Sequence, residues 1–400
     1  MKLYDEFRFD YSPGVIRFGT GCIASMADEL EKQGFDKALV VTGEKVADNP
    51  GVMNPVKDGL GDRLAGVFAE VTPRKRLGTA ARALEAAREH GADVLVAVGG
   101  GSSLDVSKST SILSTRSDSP EDAGRELAET RTFKMGDNPR LPIVAVPTTL
   151  AGADISIVAG VSATPENGLV DEPAGGGIKD RRLMPTAIFH DPELFATTPR
   201  HILAGSAMNG FNKGLETLYT RHSTPITDAT ATHGIALMAD GLEQLGEGEP
   251  TAENLRPICQ GLILEQFGIG RPDVNTLSLI HAFGHTLRDG FQIQQGLAHA
   301  VITPDALRYL FEHVDGRRDL LADALGVSDA DDKPEAIASR VAEIRDGLGL
   351  PSRLRDIEGA DKSILRDIAE ATIDDPFMPN LPVGLEPTAD DIEQMLEAAW

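Results

Sequence analysis

Two cysteines, one tryptophan and four tyrosines are all that 400 residues contain of these types. Cys22 and Cys259 stand far apart, and neither belongs to a C-x-x-C pair, so no disulfide framework is expected. No apolar run approaches the ~20 residues needed to span a bilayer. The opening M-K-L-Y-D-E-F-R-F-D lacks the apolar core of a signal peptide. The expectation is a soluble cytoplasmic protein with no membrane partner. Lysine is also scarce, at 12 of the 38 basic residues, against 62 Asp and Glu. The net charge of −24 excludes the basic patch that nucleic-acid binding needs. Acidic runs such as 118–122, 329–332 and 390–393 read as solvated faces, or as adaptation to high salt, where screening relieves self-repulsion. The shortage of lysine favours the halophilic reading.

The most informative stretch is Val96-Ala-Val-Gly-Gly-Gly-Ser-Ser-Leu-Asp-Val-Ser-Lys108. An apolar run stops at Gly99-Gly100-Gly101-Ser102, and a helical pattern follows. A strand, a tight glycine turn and a helix start bring unpaired N–H groups and a positive helix end to one point. That point suits a pyrophosphate, because glycine lets the backbone approach closely. The pattern is neither G-x-G-x-x-G nor a P-loop.

Around it, strands at 37–42, 67–71, 94–98, 143–146 and 187–189 alternate with helices at 23–33 and 79–90. This predicts an α/β unit with a parallel sheet. Residues 7–20 read as a short strand or hairpin, 115–140 as a polar surface insertion, and 168–177 as a flexible loop. From Asp191 onward, helical patterns recur at 202–221, 225–245, 252–268, 274–290, 297–313, 317–325, 333–348 and 389–399. The expected division is an α/β dinucleotide-binding domain over 1–190 and an all-α domain over 191–400 that carries the catalytic site.

Five segments, in order, resemble the iron-containing alcohol dehydrogenase superfamily, which shares its fold with dehydroquinate synthase. They are Gly99–Lys108, Pro147-Thr-Thr-Leu-Ala-Gly-Ala-Asp-Ile-Ser156, Pro185–Leu194, Glu216-Thr-Leu-Tyr219 and His281-Ala-Phe-Gly-His285. The resemblance implies an N-terminal dinucleotide domain, a helical C-terminal domain and a site in the cleft between them. It also implies a homo-oligomer. Typical members hold a divalent metal with Asp and His one turn apart on a helix and two later His. The matching positions here are Asn209, Lys213, His281 and Gln295. A protonated ammonium cannot ligate, and carboxamides are weak ligands, so metal is not expected. The maleylacetate reductase branch is the most similar, with Asn at position 209 and the shorter loop Pro147–Asp154. Lys213 and Gln295 depart from it.

Without metal, Lys213 supplies positive charge to the alkoxide formed as hydride reaches a carbonyl, or binds a substrate carboxylate. His281 and His285, one turn apart, are the proton-donor candidates. Asn209 and Gln295 are expected to contact substrate. The bland alternatives are a solvated Lys213 and packing roles for both histidines. His190, His201, His222, His233 and His313 read as structural or exposed. Gly43, Gly99, Gly100, Gly101, Ser102, Asp105, Thr148, Thr149 and Lys179 are the expected dinucleotide contacts. Many NAD-specific members carry an acidic residue where Gly43 stands, and Lys45 lies close, so NADP is favoured slightly over NAD. The function these residues imply is NAD(P)-dependent interconversion of a small carbonyl compound, with a carboxylate on it if Lys213 is a carboxylate-binding group, and its alcohol. The alternatives are a metal-dependent alcohol dehydrogenase with unusual ligands, a lyase, and a non-catalytic nucleotide-binding descendant.

Overall fold

Strands covered on both faces read as unbroken apolar runs. Three segments obey that rule at every position, Ala38–Val41, Val94–Gly99 and Ile143–Pro147, and all are fully buried. The computed structural model describes Tyr4 and residues 6–400. It falls into two compact units, Ser12–Thr198 and Pro199–Trp400, the latter joined by the described residues before Ser12.

In the first unit the elements run β1 (Val15–Phe18), α1 (Met26–Gln33), β2 (Ala38–Val41), α2 (Glu44–Ala47), α3 (Pro50–Leu60), β3 (Leu64–Phe68) and α4 (Leu77–Glu89). They continue with β4 (Val94–Gly99), α5 (Gly101–Ser114), α6 (Pro120–Thr130), β5 (Ile143–Pro147), β6 (Val158–Ala163), β7 (Ala174–Lys179), β8 (Ala187–His190) and α7 (Pro192–Ala196). Six strands form a parallel sheet in the order β1-β8-β5-β4-β2-β3. Alternate residues feed two cores. Leu39, Val41 and Leu95 pack toward α4 and α5, while Val40, Val96 and Val98 pack toward α1 and α3. From β2 the chain crosses to β3 on one side, and from β4 it crosses to β5 on the other. The carboxyl ends of β2 and β4 therefore flank a topological switch point, where open α/β sheets bind ligands. Gly43 and the glycine turn sit at those two ends.

The structure gives three expectations for this unit their detail. Residues 168–177 do not form a loop throughout, because Ala174–Lys179 pairs antiparallel with β6. The three glycines hide a strand whose Gly176 lies against the Arg131 carbonyl; a Cβ there would stand 1.8 Å from that oxygen. The insertion at 115–140 contains α6, started by a Ser119–Asp122 capping box with Pro120 at its first position. Within 7–20 only Val15–Phe18 is a strand. The first compact unit runs on past β8 to Thr198. Asp191 caps α7 and accepts from the backbone N–H of Gly21 (3.1 Å) and Ile23 (3.2 Å), which binds the segment to the first unit.

The second unit is helical among its described residues. It comprises α8 (Arg200–Tyr219), α9 (Pro225–Glu247), α10 (Ala252–Ile269), α11 (Leu279–Phe291), α12 (Gln295–His313), α13 (Arg318–Ala324), α14 (Lys333–Gly347), α15 (Leu365–Ile373) and α16 (Ala389–Ala398). From Leu203 to Tyr219, α8 is buried at every residue but Asn209, as a central helix must be. Small residues let its neighbours close in: a Cβ on Gly296 of α12 would lie 1.8 Å from the Gly205 carbonyl oxygen of α8. Tyr4 joins this unit by donating to Asp228 at 2.8 Å. Among the described residues no helix is long and apolar enough to cross a membrane.

Candidate functional site

The glycine turn has the geometry its sequence requires. Gly99 adopts φ +130°, a left-handed conformation that side-chain-bearing residues rarely take. A Cβ there would also meet Ser103 Oγ at 2.8 Å. Gly100 is the N-cap of α5 and has no side chain to cap it. The N–H groups of Gly101 and Ser102 are thus left for a ligand, while that of Ser103 donates to the Gly100 carbonyl at 3.0 Å, and the helix end adds its positive potential. The second loop is tied to the turn. Thr148 N–H donates to the Gly99 carbonyl at 3.0 Å, and a Cβ on Gly100 would stand 3.0 Å from the Thr149 methyl. This is a cradle that added Cβ atoms would fill, and it fits a dinucleotide pyrophosphate.

Other expected contacts are arranged differently. Gly43 is the N-cap of α2, and a Cβ there would lie 2.9 Å from the Val71 carbonyl oxygen. Its glycine therefore has an architectural reason besides cofactor choice. Asp105 pairs with Lys75 at 2.5 Å with its carboxylate nearly buried, so it braces the turn from beneath. Lys179 is exposed on β7 opposite Val158. Ser102 lies in the first turn of α5.

Lys108 is the residue here whose role the sequence did not reveal. It is fully buried, and its Nζ donates to the carbonyls of Ala153 and Val158, both at 2.9 Å. Burial pulls its ammonium down to about 8, with Asp105 and Asp154 partly opposing. Nearby, buried Asp154 meets Nε2 of buried His190 at 2.5 Å. His190 is thus structural, as expected of it.

In the helical unit a second polar cluster forms around α8. His281 Nδ1 lies 2.5 Å from Glu216 Oε2, and its Nε2 lies 3.2 Å from Asn209 Oδ1. Glu216 also accepts from the backbone N–H of Ile280 (2.7 Å) and His281 (3.2 Å), which caps the start of α11. Burial pushes Glu216 up to about 7 and holds His281 well below its usual value, where the Lys213 charge adds to the effect. His281 is therefore neutral. Above about pH 7 its Nδ1–H donates to the Glu216 carboxylate, which leaves a lone pair on Nε2. In the structure Asn209 turns its Oδ1 toward Nε2, so a lone pair there is served only once the amide turns over and presents its N–H₂.

Lys213 is 7% exposed, and its Nζ donates to Gln266 Oε1 at 3.4 Å, so it is not a solvated surface lysine. Next to Gln266, the Glu265 carboxyl is fully buried with no hydrogen bond among the described residues. Burial raises it well above its usual range, and Lys213 opposes that rise. Gln295 approaches His299 Nε2 at 3.5 Å, and the His299 ring packs edge-on against His281 with centroids 4.4 Å apart. Gly284 makes room for it; a Cβ there would lie 2.0 Å from His299 Nε2. His285 meets Asp375 at 3.0 Å and stacks obliquely on Phe377, keeping 29% of its side chain exposed.

The structure thus gathers Asn209, Lys213, His281 and Gln295 into one cluster, with His285 one turn along α11. It adds Glu216, Glu265, Gln266, His299 and Asp375. His299 follows Gln295 by one helical turn, so the shared face was readable; the others come from helices distant in sequence. For a divalent ion the four matched positions Asn209, Lys213, His281 and Gln295 are a poor donor set: one imidazole, two carboxamides and an ammonium with no lone pair. Among the described residues no three His, Cys, Asp or Glu side chains converge to hold a metal.

Comparison with known proteins follows the same two units. A family model described as iron-containing alcohol dehydrogenase matches residues 13–192. Its companion, the Fe-containing alcohol dehydrogenase family C-terminal model, matches 203–400. Lactaldehyde reductase of Escherichia coli K12 is 26% identical over 391 residues, covering 96% of this chain and 97% of that protein. Maleylacetate reductase of Sphingobium indicum is 27% identical over 395 residues, covering 98% and 97%. The solved structure of sulfoacetaldehyde reductase from Bifidobacterium kashiwanohense in complex with NAD+ superposes with a TM-score of 0.84. It is 22% identical, covers 98% of this chain and 99% of that one, and shows the shared fold.

Proposed function

The chain belongs to the iron-containing alcohol dehydrogenase family and is an oxidoreductase of the alcohol dehydrogenase type; from that premise we propose that it reduces a small carboxylated carbonyl compound with NAD(P)H, without a catalytic metal. The observation that carries this reading is the buried Lys213 within a cluster whose donors do not fit the family's iron.

The glycine turn, with Gly99, Gly100, Gly101 and Ser102, holds the pyrophosphate; Thr148 and Thr149 line its second side. The bound nicotinamide supplies the hydride. Lys213 stabilises the negative charge that develops on the carbonyl oxygen, in a site from which water is largely excluded. Asn209 and Gln295 orient the substrate through their carboxamides. His281 is held in one orientation by Glu216 and Asn209. His285, oriented by Asp375 and open to solvent protons, is the better proton donor of the two histidines, because the outward nitrogen of His281 is an acceptor above about pH 7. NADP is favoured over NAD because position 43 carries no acidic side chain to repel a 2′-phosphate. Lactaldehyde reductase and maleylacetate reductase act on the substrates they are named for; a small carboxylated carbonyl compound suits a buried cation beside two carboxamides.

Fluorescence titration of metal-stripped protein with NADPH and NADH tests this reading. Tight binding, with NADPH preferred, is expected. Binding of neither nucleotide at any salt concentration would turn the glycine turn into mere architecture and favour a non-catalytic descendant.

A further inference from the structure

A segment without regular structure has a problem with its own backbone. Between the end of β5 at Pro147 and the start of β6 at Val158 the chain forms no helix or strand, yet much of it is buried: Leu150, Asp154, Ile155 and Ile157 are 3% exposed or less. A backbone outside helix and sheet must find its partners elsewhere. The carbonyls of Ala153, half-buried in the loop, and of Val158, exposed at the first position of β6, both accept from the same atom, Lys108 Nζ, at 2.9 Å each. Lys108 projects from α5, the helix whose first turn is the proposed pyrophosphate site.

Burying an ammonium completely is costly, and a neutral helix former would serve α5 better. The cost is accepted in a place where the charge sits near Asp105, one turn earlier on the same helix, and near Asp154 in the loop. Asp105 in turn is paired with Lys75, whose backbone is left-handed at φ +52°. Asp154 is held from the other side by His190 at the end of β8. The loop is thus fastened to the β4–α5 segment by the Thr148 N–H to Gly99 carbonyl bond at the turn and by the Lys108 clamp on α5, with the Thr149 methyl lying close to Gly100.

We propose that Lys108 is a positioning residue for dinucleotide binding: its clamp on Ala153 and Val158 sets the β5–β6 loop in its binding conformation before the nucleotide arrives. This rests on the dinucleotide reading of the glycine turn. Lys108 does not touch the nucleotide, since it is fully buried with its ammonium directed at two protein carbonyls. Its effect is on the fraction of molecules whose loop is already competent. If losing the clamp lowers that fraction to about a tenth, apparent Kd rises about tenfold while the bound complex is unchanged.

The test compares the full-length protein with Lys108→Met and Ser107→Ala. Methionine keeps the length and removes the donors. Ser107 is equally buried on α5, and its hydroxyl has no hydrogen-bond partner among the described residues. Kd for NADH and NADPH is read by fluorescence titration, kcat and nucleotide KM by steady-state turnover, and amide hydrogen exchange over residues 149–158 without nucleotide. Lys108→Met is expected to raise Kd and KM about tenfold, to recover most of kcat at saturating nucleotide, and to exchange its loop amides faster. Ser107→Ala is expected to match wild type throughout. Unchanged affinity or unchanged loop exchange in Lys108→Met would overturn the proposal. If Lys108→Met does not fold, exchange in the wild type decides: a pre-set loop is protected without nucleotide, and full exchange within seconds overturns the clamp. Wild type that binds neither nucleotide overturns the dinucleotide reading itself, which is a separate outcome from a clamp that fails.

Discussion

Replacing Lys213 by Met is the perturbation whose consequences separate most cleanly. Two effects are expected, on two observables. The first is on the rate. A donor aimed at developing negative charge in a site closed to water contributes about 10²–10³ in turnover. Lys213→Met is therefore expected to lower kcat by about that factor, with NADPH affinity unchanged because the glycine turn is untouched. The second is on stability. Glu265 is fully buried, without hydrogen bonds among the described residues, and Lys213 is the charge that counters its rise in pKa. Once that charge is gone, the carboxyl rises further and is held protonated over a wider pH range, at a cost to the fold that grows as pH rises. The sign follows from linkage. A group whose folded pKa is raised favours the fold below its unfolded value, and the contribution is lost as pH rises toward the folded one. The variant's deficit should thus be small near about pH 5 and large near about pH 8 in urea titrations. Lys213→Met/Glu265→Gln should recover the stability at about pH 8 and none of the rate. Turnover is followed by nicotinamide absorbance with lactaldehyde and maleylacetate as probe substrates. A double variant that regained turnover, or a single variant that kept it, would refute the electrostatic role of Lys213.

Other predictions address the rest of the account. Gly99→Ala must place a side chain at φ +130° and against Ser103 Oγ at 2.8 Å, so nucleotide binding should weaken by at least about tenfold, as read by fluorescence titration. Wild-type affinity in a folded Gly99→Ala protein would contradict the cradle. Glu216→Gln removes a carboxyl pushed up to about 7, whose contribution to stability is lost as pH rises from about 4.5 to 7. The variant should gain stability relative to wild type across that window, by up to about 3 kcal/mol before the lost hydrogen bonds are counted; parallel pH profiles of the denaturation midpoint would count against the assignment. The net charge of −24 predicts that the denaturation midpoint climbs as salt screens self-repulsion. A midpoint indifferent to salt would remove the halophilic reading.

How much of this was legible beforehand depends on the range of the interaction. The β4–α5 turn is local: an apolar run, three glycines and a helical pattern specify it within one stretch, and the resemblance extended it to the whole chain. Strand β7 escaped because its fitness to pair lies in what surrounds it. Gly175–Gly177 has no side-chain pattern to read, and its reason is the close Arg131 carbonyl on a separate element. α3 is interrupted by Pro55 and two glycines, so packing against the sheet decides it over propensity. In the helical unit, position-by-position matching pointed to Asn209, Lys213, His281 and Gln295. It had no means of finding Glu265 or Asp375, whose relevance comes only from proximity to residues dozens of positions away. Lys108 was in the quoted motif but bore no assignment, because on a helix a lysine reads as solvated until its burial is seen.

The central claim is carbonyl reduction without a metal, and turnover by rigorously metal-stripped protein tests it most directly, with metal content determined on the same sample. The account predicts NAD(P)H-dependent reduction at far below stoichiometric metal, and no gain on adding ferrous iron or zinc. Activity that vanishes on stripping and returns in proportion to bound divalent metal would contradict it, and would mean that His281 and its neighbours ligate despite Lys213.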